Sequence, residues 1–196
     1  MKFRRFVGGN IESNGYVLYQ KSGGSCFIID PGYNPDRFIK FMKEERLHIK
    51  GILLTHHHYD HTGAVDKIQE KYECPVYVHR EDMDKCDCYV DSPLEDGDIL
   101  DLDGETITVM HTPGHTLGSV CFYSEKSKIV FTGDTIFDTD LGRTDFKDGD
   151  WNLMKRSCRN VIDSWSNEIT IYPGHDQSCN MKFVRKFNLE FIDAIK

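Results

Sequence analysis

Residues 55–63 read Thr-His-His-His-Tyr-Asp-His-Thr-Gly, directly after an apolar run, Gly51–Leu54, that reads as a buried strand. Four side chains with a lone pair to donate, His56, His58, Asp60 and His61, fall within six consecutive positions. In extended backbone, residues two apart share a face. His56 and His58 can therefore chelate one ion together, while His57 points away and is not a ligand. Asp60 and His61 lie where Val65, Ile68 and Tyr72 begin to recur at helical spacing, within reach of a second ion. Chance or loop polarity accounts for one such imidazole more readily than for four donors packed at a strand end.

The same design recurs downstream. His115 sits in T-P-G-H-T (112–116) after the alternating strand 106–111, Asp134 in T-G-D-T after the apolar run 129–131, and His175 in Y-P-G-H-D after the short strand 168–172. Each follows a β-like run and has a glycine beside it, which permits close backbone approach. Strand ends that carry metal-type residues point to one shared rim. The candidate metal set is His56, His58, Asp60, His61, His115, Asp134 and His175. These nitrogen and oxygen donors suit zinc first, with iron or manganese as alternatives. Thr55, Thr116 and Asp30 are candidates for orienting the imidazoles from behind.

The chain has 196 residues, enough for one domain with a sizeable core, and 39% are hydrophobic. No apolar run reaches the length of a membrane span. The start, M-K-F-R-R-F, lacks a secretory signal, and seven cysteines cannot all pair internally. A cytoplasmic protein with reduced thiols is the reading. Cys86 and Cys88 form a C-x-C that is either a redox or metal-binding pair or two ordinary thiols. The net charge of −8 and the scattered basic residues argue against nucleic acid as a partner. The expected partner is a small-molecule substrate. Oligomeric state is not encoded in the pattern.

Mixed strands and helices follow from the punctuation. Residues 16–19 and 26–29 read as a hairpin turning at Gly23 and Gly24, and residues 75–78 as another strand. Asn34 reads as a helix cap with Pro35 at the first position, and Phe38, Ile39, Phe41 and Met42 as the buried face. Residues 151–162 read as a helix. A last helix is expected over about 180–195, with Phe183, Phe187, Phe191 and Ile195 as a core-facing stripe. Lys2–Arg5 reads as one solvated edge of a first strand.

The order H-x-H-x-D-H, H, D, H resembles the metallo-β-lactamase superfamily, and it spans nearly the whole chain from I-D-P-G (29–32) to Y-P-G-H-D. Within the superfamily, H-T-P-G-H-T, F-T-G-D-T and Y-P-G-H resemble the glyoxalase II branch and its shorter relatives. The resemblance implies an α/β fold, a single-domain four-layer αββα sandwich over 1–196. It implies two divalent metal ions: His56, His58 and His115 hold the first, Asp60, His61 and His175 the second, and Asp134 bridges both. It also implies hydrolysis, of thioesters first, by a hydroxide shared between the ions, with Asp60 and Asp134 as the catalytic carboxylates. Residues 141–146, L-G-R-T-D-F, resemble a segment of short glyoxalase II-like proteins and of persulfide dioxygenases. There Arg143 either binds a substrate carboxylate or forms a structural salt bridge to Asp145 or Asp148. Asp138 and Asp140 would make the mouth acidic, and Tyr33, Phe137 and Phe146 are candidates for an apolar wall. Glyoxalase II grips glutathione partly through a helical C-terminal region, whereas this chain has room for one helix after His175. Alternatives within the same resemblance are a one-iron persulfide dioxygenase and a lactonase or other ester hydrolase.

Overall fold

The computed structural model describes residues 1–196. Six strands form the first sheet in the order β1 (Lys2–Gly8), β2 (Ser13–Tyr19), β3 (Ser25–Ile29), β4 (His48–Leu53), β5 (Val76–His79) and β6 (Ser92–Leu94). The first three are antiparallel and the remainder parallel. The second sheet runs β12 (Cys179–Asn180), β11 (Thr170–Pro173), β10 (Ile129–Gly133), β9 (Val120–Ser124), β8 (Glu105–His111), β7 (Ile99–Leu102). Its β10–β11 pair is parallel, so both strands end on the same rim.

Period-two alternation builds the layers. Leu18, Phe27, Ile29 and Leu53 face the other sheet and meet Ile107, Val109, Phe122 and Phe131. Their chain neighbours Val17, Cys26, Ile28 and Ile52 face outward onto Phe38 and Met42 of α1 (Pro35–Glu44) and Val65 and Ile68 of α3 (Val65–Tyr72). On the far side Cys121, Val130 and Ile171 pack on Met154 and Cys158 of α5 (Trp151–Asn160) and on the C-terminal helices. The result is the αββα sandwich. Its central strands are apolar on both faces because both faces are covered. β1 is an edge strand that alternates between exposed and part-covered residues from Lys2 to Arg5, as a solvated edge should.

Three local expectations change. The C-terminal helix is two helices, α6 (Met181–Phe187) and α7 (Leu189–Ala194). Asn188 separates them in extended conformation and caps α7 by accepting from the Phe191 N–H at 2.8 Å. The break shifts the helical phase, so Met181, Val184, Phe191 and Ala194 are buried while Phe183 and Phe187 are 38% and 46% exposed. The expected phenylalanine stripe is therefore not a core stripe. Asn34 precedes α1 in the left-handed region and makes no side-chain cap bond. The helical spacing after residue 60 belongs to α3, and Asp60 and His61 lie in a separate single turn, α2 (Tyr59–Thr62). No helix is long and apolar enough to cross a membrane.

Candidate metal centre

All seven donors named from the sequence meet at one rim. β4 ends just before His56 and His58, and α2 carries Asp60 and His61. The turns after β8, β10 and β11 carry His115, Asp134 and His175. Two triads result, His56–His58–His115 and Asp60–His61–His175, each with ligand atoms within 4.8 Å of one another. His58 Nδ1 stands 3.0 Å from His115 Nε2. Asp60 Oδ2 stands 3.1 Å from His61 Nε2 and 3.2 Å from His175 Nε2. Asp134 lies between the triads, with Oδ1 3.4 Å from His61 Nε2 and Oδ2 3.4 and 3.6 Å from the Nε2 atoms of His175 and His115.

Four imidazoles are aimed by the nitrogen that does not face the centre. His56 Nδ1 donates to Thr55 Oγ1 at 3.0 Å, which in turn donates to Asp30 Oδ2 at 2.6 Å. His61 Nδ1 donates to the same Asp30 oxygen at 3.2 Å. His115 Nδ1 donates to the Arg143 carbonyl at 2.8 Å and His175 Nδ1 to the Ile11 carbonyl at 2.9 Å. Each bond occupies Nδ1 and turns Nε2 toward the centre, so that the neutral form of each ring offers its Nε2 lone pair there. Thr55 and Asp30 thus stand where orienting groups were expected. Thr116 does not touch an imidazole ligand; its hydroxyl bonds Asp82. Ser13 Oγ donates to Asp60 Oδ2 at 2.9 Å.

The donor set fits divalent cations. His56 Nε2, His61 Nε2 and Asp134 Oδ1 are buried without a hydrogen-bond partner. Buried polar atoms are rarely left so, because desolvation is costly. Three such atoms aimed into one space are accounted for by positive charge placed among them. Gly174 completes the cradle: a Cβ there would lie 2.1 Å from Asp134 Oδ1 and 2.7 Å from His61 Cε1, so no side chain fits.

Charges divide the triads. Burial, reinforced by neighbouring imidazoles, pushes His56 well below its usual value and His58 down to about 4. Burial also lowers His115. Burial opposes charge on His61 and His175 too, but Asp134 and hydrogen-bonding carboxylates overcome it, raising His61 well above its usual value and His175 to about 10. Asp60 and Asp134, despite burial, are held below the usual carboxylate range by those histidines. Without metal, these shifts favour the protonated form of His61 and His175 and the neutral form of His56, His58 and His115.

The centre floors a cleft of about 780 Å³. Phe137, Phe146, Leu141 and Ile11 supply apolar walls, and Asp140, Asp148, Arg143 and Lys147 supply charge. Tyr33 and Asp138 do not line it; Tyr33 packs edge-on against Tyr59 instead. Arg143 is exposed, pairs with both oxygens of Asp145 at 2.7 Å and stacks 4.0 Å over the Phe146 ring. Its salt bridge is thus to Asp145 and not to Asp148. All seven cysteines are free, and no third ligand joins Cys86 and Cys88, which pack against the first sheet's outer core.

Sequence reading missed Ser13, Ile11 and Asp82. Their residue types are ordinary, and their contacts cross the chain: Ile11 meets His175 over 164 positions and Ser13 meets Asp60 over 47.

A family model described as the metallo-beta-lactamase superfamily matches residues 8–175. A protein of Pelagibacter ubique named hydroxyacylglutathione hydrolase is 34% identical over 88% of this chain and 70% of its own. Among solved structures, the BLEG-1 B3 metallo-beta-lactamase is 31% identical with a TM-score of 0.89, covering 95% of this chain and 98% of its own. ETHE1 from Myxococcus xanthus is 25% identical with a TM-score of 0.86 over 96% and 83% of the two chains. TTHA1623, solved in a di-iron-bound form, is 29% identical with a TM-score of 0.83 over 94% and 98%.

Proposed function

The chain belongs to the metallo-beta-lactamase superfamily, and from that premise we propose that it is a two-metal hydrolase acting on thioesters. The observation that carries the reading is the pair of triads joined by Asp134 at the floor of an open cleft. Closed structural sites fill their shell with four protein ligands; seven donors beside a cleft leave positions for water and substrate. Divalent ions supply a Lewis acid there and water that ionises near neutral pH.

The chain's own groups do the rest. Asp60, anchored by Ser13, accepts a hydrogen bond from the attacking water and orients it. Asp134 holds its negative charge between the triads and fixes their separation. The substrate's acyl end lies over Phe146, which packs against His58 at 5.6 Å between ring centres. Arg143 exchanges Asp145 for a substrate carboxylate, keeping a bidentate geometry. The thioester preference draws on the Pelagibacter relative's name. Zinc is the metal we favour, with iron next because TTHA1623 holds two irons. The free thiols favour a cytoplasmic setting.

The test is turnover of S-lactoylglutathione and of simpler acyl thioesters by zinc-loaded protein. Hydrolysis abolished by a chelator and restored by zinc or manganese supports the proposal. A fully loaded protein inert toward every thioester overturns it. A second reading, oxygen chemistry on a persulfide with one iron, draws on residues 142–145 and on the likeness to ETHE1. Oxygen uptake by an iron-loaded sample given glutathione persulfide distinguishes it.

A further inference from the structure

Between the loops that deliver the first triad lies a carboxylate that the proposed chemistry leaves unused. Asp82, in the single-turn helix α4 (Arg80–Met83) that follows β5, is fully buried. Its Oδ2 accepts from Thr116 Oγ1 at 2.6 Å and from the His57 backbone N–H at 3.2 Å, and lies 3.0 Å from His57 Nδ1. Its Oδ1 accepts from the Gly118 N–H at 2.8 Å, with Lys85 Nζ 3.9 Å away. His57 stands between the ligands His56 and His58, and Thr116 stands next to the ligand His115. One carboxylate therefore bonds both ligand loops and no ligand ring.

The contact is too close to be incidental. A Cβ at Gly118 would lie 2.6 Å from Asp82 Cγ and 2.7 Å from its backbone N, so that loop can rest on α4 only with glycine there. Burying a carboxylate is costly unless several donors surround it. An apolar side chain would fill the space with less desolvation, but it would tie neither loop. A backbone bond from the Val120 N–H to the Thr55 carbonyl at 2.9 Å joins the two loops at their base; what the charge secures is their spacing farther out, where the facing nitrogens of His58 and His115 are 3.0 Å apart.

We propose that Asp82 is a positioning residue for the first metal site, clamping the His56–His58 loop to the His115 loop so that three imidazoles are held ready for one ion. The proposal rests on reading the seven donors as a metal centre. The bond from the His57 backbone N–H, with the His57 ring nitrogen 3.0 Å from the same oxygen, is how that loop meets the clamp.

The test reads zinc affinity rather than turnover. In a His175→Ala background, only the first triad remains complete, and competition with a chromophoric chelator measures its dissociation constant. Adding Asp82→Asn should weaken zinc binding by about 10- to 100-fold, the usual cost of losing an outer partner of a metal site. The visible spectrum of bound cobalt should change with it. Thr116→Val should shift affinity in the same direction, and Thr116→Ser, which keeps the hydroxyl, should restore it. This hydroxyl pair decides the matter if Asp82→Asn does not fold. Affinity within twofold of the parent in Asp82→Asn, or equal losses in Thr116→Ser and Thr116→Val, overturns the clamp. A His175→Ala parent that holds no zinc overturns the metal reading itself, and the clamp with it.

Discussion

Loading the two sites should release protons unequally. In the metal-free protein His56, His58 and His115 are neutral at pH 7.5, because burial holds all three below their usual value. His175, raised to about 10, and His61, raised well above its usual value by Asp134 and Asp30, favour the protonated form. A ligand nitrogen must lose its proton before it binds. Removing one from His175 at pH 7.5 spans about 2.5 pH units, or about 3.4 kcal/mol at 1.36 kcal/mol per unit. The first triad bears no such cost and should fill first. Titration calorimetry in buffers of different ionisation enthalpy counts the protons. The first equivalent of zinc should release close to none, and the second about two, with at most one more from ionised water. Between pH 7 and 8 the second site's affinity should rise about a hundredfold while the first site's stays flat. Equal proton release at both steps, or a flat second-site affinity, would refute the charge division described here.

Further outcomes follow from the same geometry. Metal-stripped protein should lose stability as pH climbs from about 6.5 to about 10, because a raised histidine contributes fully below its unfolded value and nothing above its folded one; thermal melts of His175→Ala should show a smaller loss, the remainder belonging to His61. Asp134→Asn keeps the shape but not the charge between the triads; it should bind at most one ion and lose about a hundredfold or more in turnover, read by metal analysis alongside kinetics. Gly174→Ala drives a Cβ toward Asp134 Oδ1 and should abolish metal uptake while leaving the far-ultraviolet circular dichroism unchanged. Phe183→Ser and Phe187→Ser should each change stability by less than about 0.5 kcal/mol, whereas Asn188→Ala, which removes the α7 cap, should cost about 1–2 kcal/mol in urea melts.

Much of this was legible in the sequence, for chemical reasons. Metal ligation accepts few side chains, so His56, His58, Asp60 and His61 stand out by type and spacing alone. Apolar runs ending in ligands mark where strands meet a rim: residues 16–19 and 26–29 fall within β2 and β3, and the run 51–54 overlaps the end of β4 and passes it by one residue. The C-terminal stripe misled because a four-residue recurrence of phenylalanine continues through Asn188. The break there comes from a side chain that bonds the Phe137 and Asp140 carbonyls at 3.3 and 2.7 Å, partners that lie far away along the chain. Asp82 and Ser13 were invisible for the same reason. A buried aspartate and a surface aspartate look alike until the fold supplies their donors. Arg143 left two readings open because an exposed guanidinium satisfies either with one rotamer change.

Anomalous diffraction from zinc-loaded crystals addresses the central claim most directly. Two peaks are expected, one ringed by His56, His58 and His115, the other by Asp60, His61 and His175, with an Asp134 oxygen beside both. An empty rim, or zinc found only at Cys86 and Cys88, would contradict it.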